Sequence, residues 1–473
     1  MSRPNFHFTP PQMWLNDPNG LVYFAGEYHL FYQYHPESTV WGPMHWGHAV
    51  SRDLINWEHL LIALYPDEHG TIFSGSAVVD WNNTAGFGKK ALVVIFTHHT
   101  EKGESQSLAY SNDRGRTWTK YSNNPVIQTP TATKNFRDPK VFWYEDHWVM
   151  CLSGGDKILF FVSTNLINWE HVGSFGDGYD STQGVWETPD LFPLQIDDSD
   201  EILWVLTTGV IDGSPAGGSG TQYFIGDFDG RLFTAEGSRL WADYGADYYA
   251  AQSWSDIPNR RLMIAWMNNW QYAKLIPATT WRGMFSLIRE MHLIQTSAGI
   301  RLVQKALPEI KNLRNEHQQW QAETIRPGTN LLADVHGQSL EIIAEFKLTA
   351  QAEHFGFRIR AGSGEATTIY YSAITKTLTI DRSHSGQVDF HENFPGIHSA
   401  ALSPINEKIR LQIFVDTSSV EIFANGGLLV FTECIFPAER SQGLELFVEG
   451  GEVFLESLDI FHLEPATFQI KRD

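Results

Sequence analysis

A short phrase recurs three times in the first half of the chain and limits what the chain can fold into. It reads Ser-Arg-Asp-Leu-Ile-Asn-Trp at residues 51–57, Ser-Asn-Asp-Arg-Gly-Arg-Thr-Trp at 111–118 and Ser-Thr-Asn-Leu-Ile-Asn-Trp at 163–169. The Trp residues recur at about 50 to 60 residues, a period typical of β-propeller blades. Each copy follows a strand-like run and has the Asn, Asp and Gly content of a turn. We therefore expect each copy to join two strands of one blade.

Two looser copies extend the repeat, one at 226–233 and one in the segment through Trp281. Five blades then occupy a propeller domain at residues 1–300. Residues 301–325 are interpreted as a linker, because the stretch 303–320 is the most helix-like part of the chain, although its proline would break or start a helix.

Residues 326–473 contain many short alternating runs, and Asn425-Gly426 is a strong hairpin signal between two of them. Short strands without helices predict a β-sandwich. The predicted fold class is therefore all-β, a five-bladed β-propeller followed by a C-terminal β-sandwich.

Composition excludes several function classes. The chain has 473 residues, of which 42% are apolar, so a large core is available. Its 55 acidic residues against 34 basic ones give a net charge of -21, which would be repelled by nucleic acid or an anionic membrane. Cys151 and Cys434 are too few for a disulfide scaffold or a cysteine-based zinc site, so both are expected in the core.

The longest apolar runs are far too short to span a bilayer, and no apolar stretch precedes the first motif. As given, the chain is expected to be cytoplasmic, or secreted if a signal has been removed. Its oligomeric state cannot be read from the sequence.

Three acidic residues lie beside prolines in turn-like motifs: Asp17 in Trp-Leu-Asn-Asp-Pro-Asn-Gly, Asp138 in Arg-Asp-Pro and Glu187 in Trp-Glu-Thr-Pro-Asp. Each motif alone is also typical of a structural turn. Arg137 can hold a carboxylate ionised, and the indole and proline near Glu187 predict the desolvated carboxyl group that a proton donor needs. Equivalent turns of different blades converge at one end of a propeller axis. Two carboxylates about 5.5 Å apart there could cleave a glycosidic bond with retention.

These motifs resemble those of glycoside hydrolase family 32, the invertase, inulinase and levanase family. The resemblance extends to Tyr-Gln-Tyr-His-Pro at 32–36, Trp-Gly-Pro-Met-His-Trp-Gly-His at 41–48, Phe-Ser-Gly-Ser at 73–76, Trp-Met-Asn-Asn-Trp at 266–270 and Trp-Arg-Gly at 281–283. Ser-Val-Glu-Ile-Phe at 419–423 also resembles the family's sandwich domain, so nearly the whole chain is covered. The family's fold, a five-bladed propeller plus a β-sandwich, agrees with the repeat.

The resemblance implies a retaining exo-β-fructosidase that releases terminal fructose from sucrose, inulin or levan. Asp17 would be the nucleophile, Glu187 the general acid/base and Asp138 the residue that stabilises the transition state. The implied fructose pocket is lined by Asn16, Gln33, Trp41, Phe73, Ser74, Arg137 and Trp270. No metal or cofactor is expected, because carboxylates stabilise the oxocarbenium-like transition state.

One position departs from the family pattern, since Thr188 stands where a cysteine usually follows the acid/base. A hydroxyl pointing at Glu187 would stabilise the ionised carboxylate. Two other functions remain open: a fructosyltransferase would share every catalytic residue, and a non-catalytic fructan-binding protein would not need the nucleophile and the acid together.

Overall fold

The computed structural model describes residues 2–129, 135–179, 184–277, 280–348 and 352–470. Within these ranges the regular structure consists of β-strands and one short 3-10 turn, Pro308–Leu313. The predicted all-β class is confirmed. None of the described helical structure is long and apolar enough to cross a membrane.

The described residues before position 307 form five sheets, each built mainly from consecutive strands. The first two contain β1 (Met13–Phe24), β2 (Glu27–His35), β3 (His45–Ser51), β4 (Trp57–His59), β5 (Thr71–Asp80), β6 (Ala91–Thr100), β7 (Gly103–Ser111) and β8 (Thr119–Lys120). The next two contain β9 (Phe136–Tyr144), β10 (His147–Gly154), β11 (Ile158–Ser163), β12 (Glu170–Phe175), β13 (Trp186–Gln195), β14 (Ile202–Val210), β15 (Gly220–Phe228), β16 (Phe233–Ala235) and β17 (Leu240–Trp241). The fifth sheet follows, together with one strand that joins the first sheet: β18 (Tyr249–Ser253), β19 (Leu262–Trp266), β20 (Trp281–Arg282), β21 (Arg289–Thr296) and β22 (Gly299–Ala306).

The five sheets form a closed ring. Their first strands contact one another in the order β1, β5, β9, β13 and β18, and β18 contacts β1 again. We call these five the inner strands. A ring of sheets around a central axis is the architecture of a propeller, so the arrangement supports five blades. The segment through Trp281 is not a fifth copy of the repeat, because β20 pairs in parallel with β1 of the first sheet.

The recurring phrase forms the same turn in the first three sheets. It connects β3 to β4, β7 to β8 and β11 to β12. In each copy a serine hydroxyl and the Asp or Asn two residues later accept backbone amides of the turn. The indole N–H of Trp57, Trp118 and Trp169 donates to the carbonyl three residues earlier. The repeat is thus a turn that joins the two outer strands of a blade, as the sequence predicts.

Eleven of the remaining strands make two packed sheets. They are β23 (Arg314–Ile325), β24 (Leu340–Lys347), β25 (His354–Gly362), β26 (Glu365–Ser372), β27 (Thr377–Asp381), β28 (Ile397–Ala401), β29 (Lys408–Val415), β30 (Ser419–Ala424), β31 (Leu429–Cys434), β32 (Gly443–Glu449) and β33 (Val453–Leu463). The last strand, β34 (Phe468–Ile470), pairs instead with β4 of the first sheet. One sheet has the order β23-β33-β24-β29-β30-β31 and the other β28-β27-β26-β25-β32. A single apolar cluster contributed by strands of both sheets fills the space between them, which confirms the sandwich.

The helix-like interpretation of residues 303–320 is wrong for most of that stretch. Only Pro308–Leu313 is helical, and it is flanked by β22 and β23. β23 lies at an edge of its sheet and most of its residues are exposed. Polar residues with good helix propensity are tolerated there because one strand face meets solvent, so pairing with β33 decides the conformation.

Buried charges join the propeller to the sandwich. Arg289 of the propeller pairs with Glu421 of the sandwich at 2.8 Å, and Arg382 of the sandwich pairs with Asp247 of the propeller at 2.5 Å. His7 lies between two sandwich acids, 2.8 Å from one and 3.0 Å from the other. We call the whole buried set the interface cluster: His7, Asp243, Asp247, Arg289, Arg382, Asp416, Glu421 and Glu433.

Candidate active site

Each inner strand is irregular close to its first residues. The register with the neighbouring strand shifts at residues 15–18 of β1, 72–75 of β5, 137–140 of β9, 187–190 of β13 and 249–252 of β18. Such β-bulges bend a strand and redirect its side chains, and they are frequent beside active sites. Because all five lie at the same end of the ring, they turn side chains from five sheets toward one point.

A cavity of about 390 Å³ opens at that point. Every sequence-predicted site residue lines it: Asn16, Asp17, Gln33, Trp41, Phe73, Ser74, Arg137, Asp138, Glu187 and Trp270. His99, Ile211 and Lys274 complete the lining. The three acids lie within the first residues of β1, β9 and β13 rather than in free turns. Sheets one, three and four therefore each supply one carboxylate.

Asp17 is buried and held by two donors. The Ser74 hydroxyl donates to its Oδ2 at 2.7 Å and the Asn16 amide to its Oδ1 at 3.1 Å. Trp14 fixes Asn16 in turn, by donating its indole N–H at 2.7 Å. Burial and the nearby charge of Glu187 raise the pKa of Asp17 to about 6. The carboxylate is thus fixed in direction and ionised at neutral pH.

Asp138 has a left-handed backbone, with φ of 66°. Its amide donates to the Thr97 hydroxyl and its Oδ2 accepts the amide of Thr188, both at 3.0 Å. Burial raises the pKa of Asp138; the Arg137 charge opposes this shift and the Glu187 charge adds to it. A non-glycine residue held at positive φ is an uncommon, strained conformation that recurs at functional sites.

Glu187 has polar rather than apolar neighbours. Arg137 donates from Nε to Glu187 Oε1 at 3.0 Å and pairs with the same oxygen through Nη2, while the Tyr249 hydroxyl donates to Oε2. The apolar surroundings expected from sequence are wrong, because the preceding indole, Trp186, packs against Phe224 inside the blade. Each carboxylate oxygen of Glu187 therefore has its own hydrogen-bond donor, Arg137 for Oε1 and Tyr249 for Oε2.

Thr188 does not contact Glu187 through its hydroxyl. Its Oγ1 is buried with no hydrogen-bond partner among the described residues, and its backbone has a φ of 48°. Its amide binds Asp138 instead. The backbone of residue 188 therefore contacts the second aspartate, and the hydroxyl that departs from the family pattern contacts neither acid through a hydrogen bond.

Aromatic rings form the walls of the cavity. Trp41 meets Phe73 edge to face at 6.1 Å, and Phe73 stacks on His99 at 4.2 Å. On the other side Trp270 stacks on Trp14 at 6.3 Å. Apolar ring faces beside amides and carboxylates match the two sides of a sugar, whose C–H face is apolar and whose hydroxyls are polar.

Sequence reasoning missed two residues that position the acids. Tyr249 comes from β18, and Glu104 pairs with Arg137 at 3.1 Å from β7. The sequence indicated site residues by turn-like motifs with proline and by neighbouring candidate acids, and neither Tyr249 nor Glu104 has such a neighbour. Their role is visible only when the ring closes and brings the fifth and second sheets beside the fourth and third.

The site offers three carboxylates and one guanidinium. Within the described ranges, no group of three or more His, Cys, Asp or Glu is placed to hold a metal ion. An ionised carboxylate and a second acid held by Arg137 and Tyr249 can divide nucleophilic attack and proton transfer between them.

Comparison with known proteins agrees with this geometry. Residues 7–306 match the glycosyl hydrolases family 32 N-terminal domain and residues 309–462 the family's C-terminal domain. A levanase of Bacillus subtilis (strain 168) is 52% identical over 477 residues, which cover 98% of this chain and 70% of that protein. The crystal structure of an exo-inulinase from Aspergillus awamori superposes with a TM-score of 0.92 at 36% identity over 98% of both chains. A fructofuranosidase from Schwanniomyces occidentalis complexed with fructose superposes with a TM-score of 0.91 at 33% identity, also over 98% of both chains. The chain belongs to glycosyl hydrolases family 32.

Proposed function

We propose that the chain is an exo-acting β-fructosidase that hydrolyses terminal β-D-fructofuranosyl residues of levan, inulin and sucrose with retention. One observation carries the proposal: Asp17, Asp138 and Glu187, from three different sheets, line one aromatic-walled cavity of about 390 Å³. That volume is at the small end for ligand sites, which suits a chain end of one or two sugar rings.

In the first step the Asp17 carboxylate attacks the anomeric carbon while Glu187 protonates the leaving oxygen, and a covalent fructosyl-enzyme forms. Ser74 and Asn16 hold Asp17 for in-line attack. Because the pKa of Asp17 is about 6, the nucleophile becomes protonated as the pH falls through that value, and the rate should fall with it.

In the second step Glu187, now ionised, removes a proton from water that attacks the same carbon, and Asp17 leaves. Arg137 and Tyr249 keep the Glu187 carboxylate in place through both steps. Asp138 is assigned to the sugar hydroxyls, whose hydrogen bonds strengthen as positive charge develops in the transition state.

The relatives support this substrate class. The Bacillus subtilis protein is named a levanase, the Aspergillus awamori protein an exo-inulinase, and the Schwanniomyces occidentalis protein a fructofuranosidase, which is complexed with fructose. All three names describe cleavage or binding of β-fructosyl groups.

Replacing each acid separates their roles. Asp17→Ala should lower kcat on sucrose and inulin by about 10⁴-fold or more, because no nucleophile remains. Glu187→Ala should retain turnover of a fructoside with a good leaving group, and added azide should raise that rate by replacing the base in the second step. The matched control, Asp146→Ala, removes an exposed acid of the same domain and should leave all rates unchanged. Near-native activity of Asp17→Ala would end the assignment.

Product analysis tests the exo and hydrolytic parts. Early digests of inulin should contain free fructose, released as the β-anomer, and intermediate oligosaccharides would contradict exo cleavage. On sucrose, glucose in excess of fructose would indicate transfer to sugar instead of water.

A further inference from the structure

A second cavity, of about 500 Å³, lies at the opposite end of the inner strands. The active-site acids lie near the starts of β9 and β13, whereas this cavity is lined by later residues of these strands and by those that follow β5 and β18. We call it the far pocket. The proposed reaction uses none of its residues.

The far pocket holds most of the exposed tryptophan of the molecule. All seventeen Trp lie within the described residues, and only Trp41, Trp81 and Trp143 are exposed, at 37%, 49% and 37%. Trp41 lines the candidate active site, and the other two line the far pocket. Exposed large rings collected in one concave place indicate a binding surface.

The rings of the far pocket are fixed in direction. The indole N–H of Trp81 donates to Asp256 Oδ1 at 2.8 Å and that of Trp143 to the Glu145 carbonyl at 2.8 Å. Trp143 also meets Trp148 edge to face at 4.9 Å. Rings that are already ordered lose little entropy when a ligand packs against them.

Polar groups also line the far pocket. Asp256 contributes a carboxylate and Arg261 a guanidinium, whose described hydrogen bonds are two long ones, both 3.3 Å, to Ser253 Oγ and the Trp254 carbonyl. Outside the lining, Lys90 lies over the Trp81 ring, 5.1 Å from its centroid. Acceptors and donors of both charges beside ring faces suit neutral hydroxyls, which both donate and accept. An anionic ligand would be opposed by Asp256 and by the net charge of -21.

We propose that the far pocket is a second carbohydrate site, which holds an internal segment of a fructan chain while another chain end is cut at the active site. The proposal rests on the function proposed above for its choice of sugar. Along β9, six residues separate Asp138 from Tyr144, so the two sites are about 20 Å apart. Sucrose is too short to occupy both sites, whereas a polymer held at the far pocket raises the concentration of its own chain ends near the enzyme.

The test compares the parent with Trp81→Ala/Trp143→Ala. The apparent KM for long inulin or levan should rise about five- to tenfold, with kcat unchanged and with sucrose kinetics within about twofold of the parent. Trp320→Ala, which removes a half-buried tryptophan of the sandwich, is the control and should change neither KM. An unchanged polymer KM in a folded double variant would overturn the proposal. Trp143→Ala alone replaces the double variant if the latter does not fold, and a polymer KM equal to that of the parent would then overturn it in the same way.

Binding without turnover separates the two proposals. In native gels containing long inulin, Asp17→Ala should be retarded, and Asp17→Ala/Trp81→Ala/Trp143→Ala should lose a large part of that retardation. Equal retardation of the two would overturn the far-pocket proposal. A parent that releases no fructose from any substrate would instead overturn the proposed function, and the gels would still decide whether the far pocket binds the polymer.

Discussion

The active site and the interface cluster both bury charged groups, but they differ in whether the buried acids have cationic partners. Around the cavity, Arg137 is shared between Glu187 and Glu104, while Asp17 and Asp138 have no ion-pair partner among the described residues. Burial and neighbouring charge raise the pKa of both aspartates.

In the interface cluster, Arg289, Arg382 and His7 are placed among five acids. Burial alone would raise the pKa of Glu421, but His7 and Arg289 lower it. Asp243 differs from it, since burial outweighs its contact with Arg289 and raises its pKa to about 6. The two regions therefore differ in pairing: every acid of the interface cluster contacts a cation, whereas Asp17 and Asp138 contact none among the described residues. Acids are left without a cationic partner where the chemistry needs a nucleophile.

The largest effect is expected from removing a cation of the interface cluster. Arg289→Met keeps the size of the side chain but leaves Asp243 and Glu421 without their guanidinium. The free energy of unfolding should therefore fall by about 3 to 5 kcal/mol. Denaturant unfolding at neutral pH measures this.

Arg260→Met is the matched control. Arg260 also contacts two acids, Glu290 and Glu309, but all three side chains are partly exposed. The free energy of unfolding should therefore fall by about 1 kcal/mol or less. Equal losses in the two variants would show that burial does not distinguish the interface cluster.

A smaller effect depends on the protonation of His7. Burial alone would lower its pKa, but Asp416 and Glu421 raise it to about 9. Because folding raises the pKa of His7, the protonated ring stabilises the folded protein. This contribution is fully present below the ordinary pKa of about 6.5 and is lost as the pH rises through about 9. The stability advantage of the parent over His7→Gln should therefore shrink by about 3 kcal/mol between pH 6 and pH 10. A constant difference across that range would mean that folding does not shift the pKa of His7.

The smallest effect concerns Asp17 and has the opposite sign. Its folded-state pKa, about 6, exceeds the ordinary 3.8, so the ionised carboxylate destabilises the fold as the pH rises through that interval. Asp17→Asn should gain about 2 kcal/mol of unfolding free energy relative to the parent between pH 4 and pH 7. Asp200→Asn, at an exposed position, should show no such gain. If Asp17→Asn lost stability over the same interval, the ionised Asp17 carboxylate would not destabilise the fold.

Local sequence was sufficient to predict the parts of the molecule that local sequence determines. The turns ending at Trp57, Trp118 and Trp169 form from hydrogen bonds within the phrase itself, and the hairpin at Asn425-Gly426 joins β30 to β31. The family motifs predicted ten of the thirteen residues that line the cavity, and they missed His99, Ile211 and Lys274.

Contacts between distant elements could not be predicted in the same way. The hydrogen bond from Tyr249 to Glu187 joins residues 62 positions apart. Residues 314–325 form a strand because they pair with β33, more than 100 residues away. The surroundings of Glu187 were misjudged because sequence neighbours in a strand point to opposite faces.

The closing of the first sheet has a consequence for how the chain folds. That sheet combines β1 and β4 with β20 and with β34, which pairs with β4 in parallel. Roughly 400 residues separate β4 from β34, so the last pairing cannot form until nearly all of the described chain has left the ribosome. At about 5 to 20 residues per second, the outer edge of the first blade stays unpaired for on the order of 20 to 80 seconds. An open strand edge of that duration invites pairing with other chains, and chaperones that shield such edges should raise the yield of folded enzyme.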